Sequence, residues 1–304
     1  MDQQQIKQFL EKEYGWQVLG QEVIQETDYN LSLKVQTTSG YNFVRFGKII
    51  PAEEVFEEVS LLLSLKEASL LISKPKPDLP GNFVSVPDFC KTCVTFEFID
   101  GHSFHDPNYV PSKQQCLNAA AVLQMLHSAG GVNFKSRVHK TLTSQIDSFL
   151  SQGHVVSQEF TTELKNAREQ AMQRSVENNM VHGDFRIKNI IWDQTMNNIK
   201  AVVDFEWFFS GPKEYDLGLM LVEWSFPDGG QDFDREIIET ILEGYNNAAG
   251  VKFTLSELKF WMYYSALCDA VTFLSRRAGS GLIDPNKSFM YKKAHKALEL
   301  DALA

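Results

Sequence analysis

The chain of 304 residues is long enough for one large core or two lobes, and its 43% apolar and 22% charged residues are ordinary for a globular protein. Its 29 basic against 39 acidic side chains give a net charge of −10, a field that repels nucleic acid and anionic membrane and favours a neutral or cationic small-molecule partner. No run of about 18 apolar residues offers a membrane span, the residues Met1-Asp2-Gln3-Gln4-Gln5 lack the regions of a secretory signal, and four cysteines are too few for a disulfide scaffold, so the cytoplasm is the expected location.

Ile6, Phe9 and Leu10 fall at helical spacing and predict a short amphipathic helix over residues 3 to 14, closed by Gly15. Leu31, Leu33 and Val35 alternate with polar residues, Ser39-Gly40 supplies a turn, and Tyr41 to Phe46 returns, which predicts a hairpin. Pro51-Ala52-Glu53-Glu54 reads as a helix start with acids in its first turn, and Phe56, Val59, Leu62 and Leu63 as the buried stripe that follows. Four prolines between Ser73 and Pro87 predict extended or looped chain, and Val94 to Ile99 a strand ended by Asp100-Gly101. Cys90-Lys91-Thr92-Cys93 has neither a second cysteine pair nor a nearby His, so it reads as two reduced thiols at a hairpin turn.

Past residue 98 the pattern turns helical. Ser112 caps a predicted helix to Ser128, with Leu117, Ala121, Leu123 and Leu126 inward, His127 in a structural place, and Gly130-Gly131 ending it. Helical patterns follow at 139 to 152 and 158 to 179. The apolar runs Asn189 to Asp193 and Ile199 to Phe205 then flank the polar loop Gln194-Thr195-Met196-Asn197-Asn198. They predict an antiparallel hairpin in which Asn189 lies roughly opposite Asp204. The last ninety residues are helical, with Leu258, Trp261, Met262, Leu267, Val271 and Leu274 as a buried stripe. A strand-rich block with one long helix, residues 1–98, followed by a mainly helical block, residues 99–304, predicts an α+β protein with a small β-lobe and a larger α-lobe.

The hairpin stretch carries the chemistry. Carboxylate and amide oxygens suit Mg²⁺, which takes few protein ligands and completes its shell with water and phosphate oxygens. Asn189 and Asp204 are therefore candidate metal ligands, and Asp184 is left to receive a proton from an attacking hydroxyl or amine. An acid at the end of the run Ala201-Val202-Val203 is costly there unless a cation or a hydrogen-bond donor meets it. His182 reads as a residue that shapes the loop, since Asp184 is the better-placed proton acceptor. This division of labour is that of phosphoryl transfer by kinases. His182-Gly183-Asp184, Asn189 and Val203-Asp204-Phe205-Glu206 resemble the signature of the aminoglycoside phosphotransferase and choline kinase group, small-molecule kinases with a bilobal protein-kinase-like fold.

The resemblance implies further roles. It places Arg45 where a basic residue holds the nucleotide phosphates and Glu58 where a helix acid pairs with it; on their own pattern the two read equally as a solvated residue on an edge strand and one of several exposed acids beside Glu53, Glu54 and Glu57. Arg in place of Lys is longer and differently hydrated, so the phosphate contact is not the same. Where such kinases carry a glycine-rich loop, this chain reads Gln25-Glu26-Thr27-Asp28-Tyr29-Asn30-Leu31 without a glycine, leaving Thr27 and Asn30 either as side-chain donors to phosphate or as ordinary turn residues. Phe96 to Gly101 resembles the connection that offers main-chain groups to a purine, at Glu97 and Ile99, and Asp216 matches a position that supports the catalytic loop.

The short passage from Asp204 to Gly211-Pro212-Lys213-Glu214-Tyr215-Asp216-Leu217-Gly218 leaves no room for a long activation segment and points to a small-molecule acceptor. Glu223, Asp228, Asp232, Asp234 and Asp269 read either as binders of an amine-bearing acceptor or as solvated surface acids. The expected function is Mg²⁺-dependent transfer of the γ-phosphoryl of ATP or GTP to a hydroxyl of a small metabolite or antibiotic, neutral or cationic. Its rivals are a kinase-like nucleotide-binding or regulatory protein without catalysis, and a metal-dependent hydrolase using the same acids on water.

Overall fold

Asp2 accepts the N–H of Gln4 and Gly15 takes a left-handed conformation, so helix α1 (Gln3–Tyr14) begins and ends where the sequence places it. In the computed structural model, which describes residues 1–67, 70–106, 108–129, 140–175, 179–227, 230, 232–277 and 281–300, with residues 66–67 as backbone only, the chain forms two compact units. Met1–Gly101 belongs to the first, to which Lys200–Glu206 returns; most of the remainder forms the second.

In the first unit the strands β1 (Val18–Glu26), β2 (Asn30–Thr37), β3 (Gly40–Gly47), β4 (Pro75–Lys76) and β5 (Thr92–Glu97) make an antiparallel sheet in the order β1-β2-β3-β5-β4. The expected hairpin is β2 and β3, with Leu33 opposite Val44 and Thr37 opposite Gly40. One face of the sheet packs on Ile6, Leu10 and Tyr14 of α1, burying Leu31, Leu33, Val35, Val44 and Phe46. Each such large side chain contributes about 1.5–3 kcal/mol by leaving water. The strand β1 has no counterpart in the sequence reading: it lies on the sheet edge, and Leu19, Val23 and Ile24 are exposed, so no inside and outside alternation marks it.

Helix α2 (Ala52–Glu67) corrects one expectation. Phe56, expected in the buried stripe, is 48% exposed, whereas Val55, Glu58, Val59, Leu61, Leu62 and Leu65 are buried. The inward face includes an acid, and counting only apolar residues rotates the stripe away from it. Arg45 is likewise not on an edge, since β3 lies between β2 and β5 and the residue is 9% exposed.

In the second unit Ser112 and Gln115 form a capping box at the start of α3 (Lys113–Ser128). Gly130 and Gly131, expected to end that helix, lie outside the described residues. Along the chain there follow α4 (Ser144–Ser151), α5 (Gln158–Arg174), β6 (Asn179–Val181), β7 (Ile190–Trp192), β8 (Ile199–Val202, of which Lys200 onward counts with the first unit), β9 (Phe209–Gly211), α6 (Glu214–Ser225), α7 (Arg235–Ala249), α8 (Leu255–Arg276) and α9 (Phe289–Glu299). Strand β6 pairs antiparallel with β9, and β7 with β8 forms the ribbon around the expected loop, where Asp193 N–H donates to Asn198 O.

Leu258, Trp261, Met262, Leu267, Val271 and Leu274 of α8 are all buried, as expected, and Gly218 of α6 allows close approach to it: a Cβ there would stand 2.6 Å from the Trp261 carbonyl carbon. No helix among the described residues is long and apolar enough to cross a membrane. Thr254 and Glu257 close a capping box at the start of α8. Thr254→Ala is expected to cost about 1 kcal/mol, read as a lower urea midpoint with an unchanged denaturant slope.

Candidate active site

The loop between β6 and β7 is built on Asp216, a residue of α6 with no exposed surface. Its Oδ2 accepts the N–H of His182 at 2.6 Å and its Oδ1 that of Gly183 at 2.9 Å. His127 Nε2 stands 3.1 Å from Oδ2, while its Nδ1 meets the Tyr245 hydroxyl at 2.8 Å, which gives His127 the structural place expected of it. Gly183 has φ of +80°, and a Cβ there would lie 2.2 Å from Trp207 O, so only glycine fits. His182 is fully buried, and its Nδ1 accepts the N–H of Asp184 at 3.2 Å. The histidine thus shapes the turn from which the Asp184 side chain departs.

Asp184 is gripped on both oxygens. Asn189, in the short 3₁₀ turn Ile187–Asn189 before β7, donates its Nδ2 to Asp184 Oδ2 at 2.9 Å and to Asp184 O at 2.8 Å. Since both partners are acceptors, the amide nitrogen faces them and Asn189 Oδ1 is left as an oxygen donor for a cation. Arg186 Nε donates to Asp184 Oδ1 at 2.5 Å, its Nη1 to Glu223 Oε2 at 3.2 Å, and its Nη2 lies 2.8 Å from Asp269 Oδ1. Burial alone would raise the Asp184 pKa; Arg186, Lys188 and His182, with the Asn189 hydrogen bond, outweigh it and hold the carboxyl below the usual aspartate range. It is therefore ionised at neutral pH.

The first unit holds a second cluster. Arg45 donates from Nη1 and Nη2 to Glu58 Oε1 and Oε2 at 3.2 and 2.6 Å, a bidentate pair that joins β3 to α2. Arg45 Nη1 also lies 2.9 Å from Glu206 Oε1, to which Asn30 Nδ2 donates at 2.7 Å. Burial disfavours the Arg45 charge, but Glu58, then Glu206 and Asp204, more than offset this and raise its pKa. Asp204 follows β8 with φ of +68°, a left-handed conformation that aspartate tolerates better than most residues. It belongs to the first unit, whereas Asp184 and Asn189 belong to the second.

The Thr27 hydroxyl is used locally: it accepts the N–H of Tyr29 at 3.2 Å and of Asn30 at 3.0 Å and donates to Asn30 O at 3.3 Å, closing the turn between β1 and β2. Glu97 N–H donates to Lys74 O and its carbonyl accepts from Ser73 Oγ, whereas the main chain of Ile99 makes no hydrogen bond among the described residues. Of the five acids noted from the sequence, Glu223 and Asp269 meet Arg186; Asp234 caps α7 and Asp232 accepts its neighbour's N–H. Asp228 lies outside the described residues.

Two residues escaped the sequence reading. Arg186 carries no signal beyond lying two positions after Asp184, and Glu206 was noted only as part of a motif, with nothing to indicate that it would meet Arg45 and Asn30. Asp216→Asn replaces an oxygen that accepts a main-chain N–H with an amide that cannot; a loss of about 2–3 kcal/mol is expected. Gly183→Ala is expected to cost more than about 1 kcal/mol through its left-handed backbone. Chemical denaturation checks both.

Solved structures similar to this chain include amicoumacin kinase hAmiN in complex with AMP-PNP, Ca²⁺ and Ami (14% identity, TM-score 0.74, covering 98% of this chain and 93% of that one). Choline kinase LicA from Streptococcus pneumoniae matches at 17% identity and TM-score 0.68, covering 97% of each chain. A microcompartment-associated aminopropanol kinase matches at 16% and 0.67, covering 96% and 94%. At such identities the likeness establishes the protein-kinase-like fold. Sequence comparison with curated proteins finds no match. Residues 29–261 match the model of the phosphotransferase enzyme family, to which this chain belongs.

Proposed function

We propose that the protein is a small-molecule kinase of the cytoplasm that moves the γ-phosphoryl of ATP, with GTP as an alternative donor, to a hydroxyl of a small acceptor. The observation that carries this reading is the Asp184 carboxylate, ionised and held on both oxygens by Asn189 and Arg186. Asp184 takes the proton of the acceptor hydroxyl as its oxygen bonds to the γ-phosphorus and the bond to the β–γ bridging oxygen breaks.

The donor set fits a magnesium ion: Asn189 offers Oδ1, and Asp204 a carboxylate. In the first unit the Arg45 charge is already met by Glu58, Glu206 and the field of Asp204. A polyanionic triphosphate there needs a further cation. Asn189 and Asp204 would hold Mg²⁺, which neutralises phosphate oxygens when bound. Arg45 faces the phosphates, with Glu58 fixing its fork, and Asn30 steadies Glu206. Thr27 shapes the turn over the nucleotide by its local hydrogen bonds. The purine is met by the Glu97 carbonyl, which keeps a second lone pair, and by the Ile99 N–H.

The turn closed by Thr27 and the two carboxylates already on Arg45 favour a second reading, a nucleotide-binding protein without transfer. Incubation with Mg-ATP or Mg-GTP and pooled amino alcohols, sugars and antibiotics, followed by mass spectrometry, separates the two. An acceptor heavier by one phosphoryl group is expected, and chelation of Mg²⁺ should abolish it. Thermal stabilisation by nucleotide with no product from any acceptor supports the second reading, and phosphate release without an acceptor supports a hydrolase. Asp184→Asn is expected to lower kcat at least about 10³-fold while leaving nucleotide binding near wild type; full turnover removes the residue from the mechanism.

A further inference from the structure

Asp184 is held by more than its neighbours in sequence. The Arg186 guanidinium reaches three carboxylates at once: Asp184 Oδ1 through Nε at 2.5 Å, Glu223 Oε2 on α6 through Nη1 at 3.2 Å, and Asp269 Oδ1 on α8 through Nη2 at 2.8 Å. The Arg186 side chain is 17% exposed, against 15%, 18% and 27% for its three partners, so the cluster is largely shielded from water and from screening by salt. Lys293 Nζ, 2% exposed, stands 3.6 Å from Glu223 Oε1, and Lys188 Nζ stands 3.9 Å from Asp184 Oδ2.

We propose that Arg186 is the positioning residue of the reaction: anchored on Glu223 and Asp269, it fixes the rotation of the Asp184 carboxylate so that one oxygen faces the acceptor hydroxyl. This rests on the kinase reading above. A carboxylate turns easily about its last torsion, whose wells are broad. Here Arg186 grips Oδ1 and Asn189 grips Oδ2, so the group cannot turn without breaking a charge-assisted hydrogen bond. A lysine cannot replace the fork, because one ammonium does not span three acids fixed on the loop, α6 and α8.

The arrangement reassigns two acids. Glu223 and Asp269, candidates for binding an amine-bearing acceptor, spend their charge on Arg186, and a cationic acceptor would have to displace the guanidinium to reach them. Their removal is therefore expected to act on kcat through Asp184 and not on the acceptor's KM.

The test uses the full chain with whichever acceptor the panel finds. Arg186→Ala is expected to lower kcat about 100-fold, the usual scale for a misplaced group, with the KM of the nucleotide and its thermal stabilisation of the protein within about twofold of wild type. Added guanidinium ion at non-denaturing concentration should restore about tenfold of the loss, while sodium chloride at equal ionic strength restores none. Arg186→Lys should fall between Ala and wild type, and Asp269→Asn should lower kcat about fivefold with the acceptor KM unchanged.

The proposal is overturned if folded Arg186→Ala keeps its kcat, if guanidinium fails to rescue a variant that still binds nucleotide, or if Asp269→Asn raises the acceptor KM and spares kcat, which would return that acid to acceptor binding. A wild-type protein that phosphorylates nothing in the panel sinks the kinase reading first and this with it. An active wild type indifferent to Arg186 sinks this alone.

Discussion

A carboxyl group with no surface in water has to find its hydrogen bonds inside the protein or cost several kcal/mol, and Asp216 finds them on the main chain of the loop before β7. By accepting the N–H groups of His182 and Gly183 it fixes two consecutive peptide units, and the third residue is Asp184. The rest of the site builds on that constraint. Gly183 bends where no side chain fits against Trp207 O, and the His182 ring turns back to accept the Asp184 N–H. His127 and Tyr245 hold Asp216 from the other side. Helices α3, α6 and α7 are in this way coupled to the direction of a single side chain.

What the sequence made legible was the placement of residues that lie close together along the chain. Asp184, Asn189 and the ribbon that follows are local, and turn composition, spacing and residue type suffice to place them. Helix α1 was legible for the same reason, with Gly15 to close it. The face of α2 was not, because Glu58 occupies an inward position that apolar periodicity assigns elsewhere, and its partner Arg45 lies thirteen residues earlier on another element. Strand β1 was hidden by its place at the sheet edge, where exposed Leu19, Val23 and Ile24 break any alternation. Arg186 was hidden most completely, since its partners Glu223 and Asp269 are 37 and 83 positions away, and no local rule joins them.

Arg45 shows how one substitution moves the demands on its surroundings. Its fork takes both oxygens of Glu58 and still reaches Glu206, which a lysine in that place has no geometry to do. Glu206 in turn takes the amide of Asn30, so the start of β2 is tied to the segment that carries Asp204. A turn without glycine cannot wrap phosphate closely with bare backbone. In its place the first unit has a turn closed by the Thr27 hydroxyl and braced by Lys48, which donates to Thr27 O and Glu26.

Within a chain of net charge −10 the two clusters gather different charges, and the difference bears on what each can bind. Around Asp184 three cations, Arg186, Lys188 and Lys293, meet three acids, Asp184, Glu223 and Asp269, and offset one another. Around Arg45 the guanidinium meets Glu58, Glu206 and the field of Asp204. Under the kinase reading a triphosphate bound there would bring further negative charge, and a divalent ion would offset it. Under the kinase reading the acceptor meets a neutral cluster in the second unit, and selection among acceptors rests on shape and hydrogen bonding, with net charge a minor factor there.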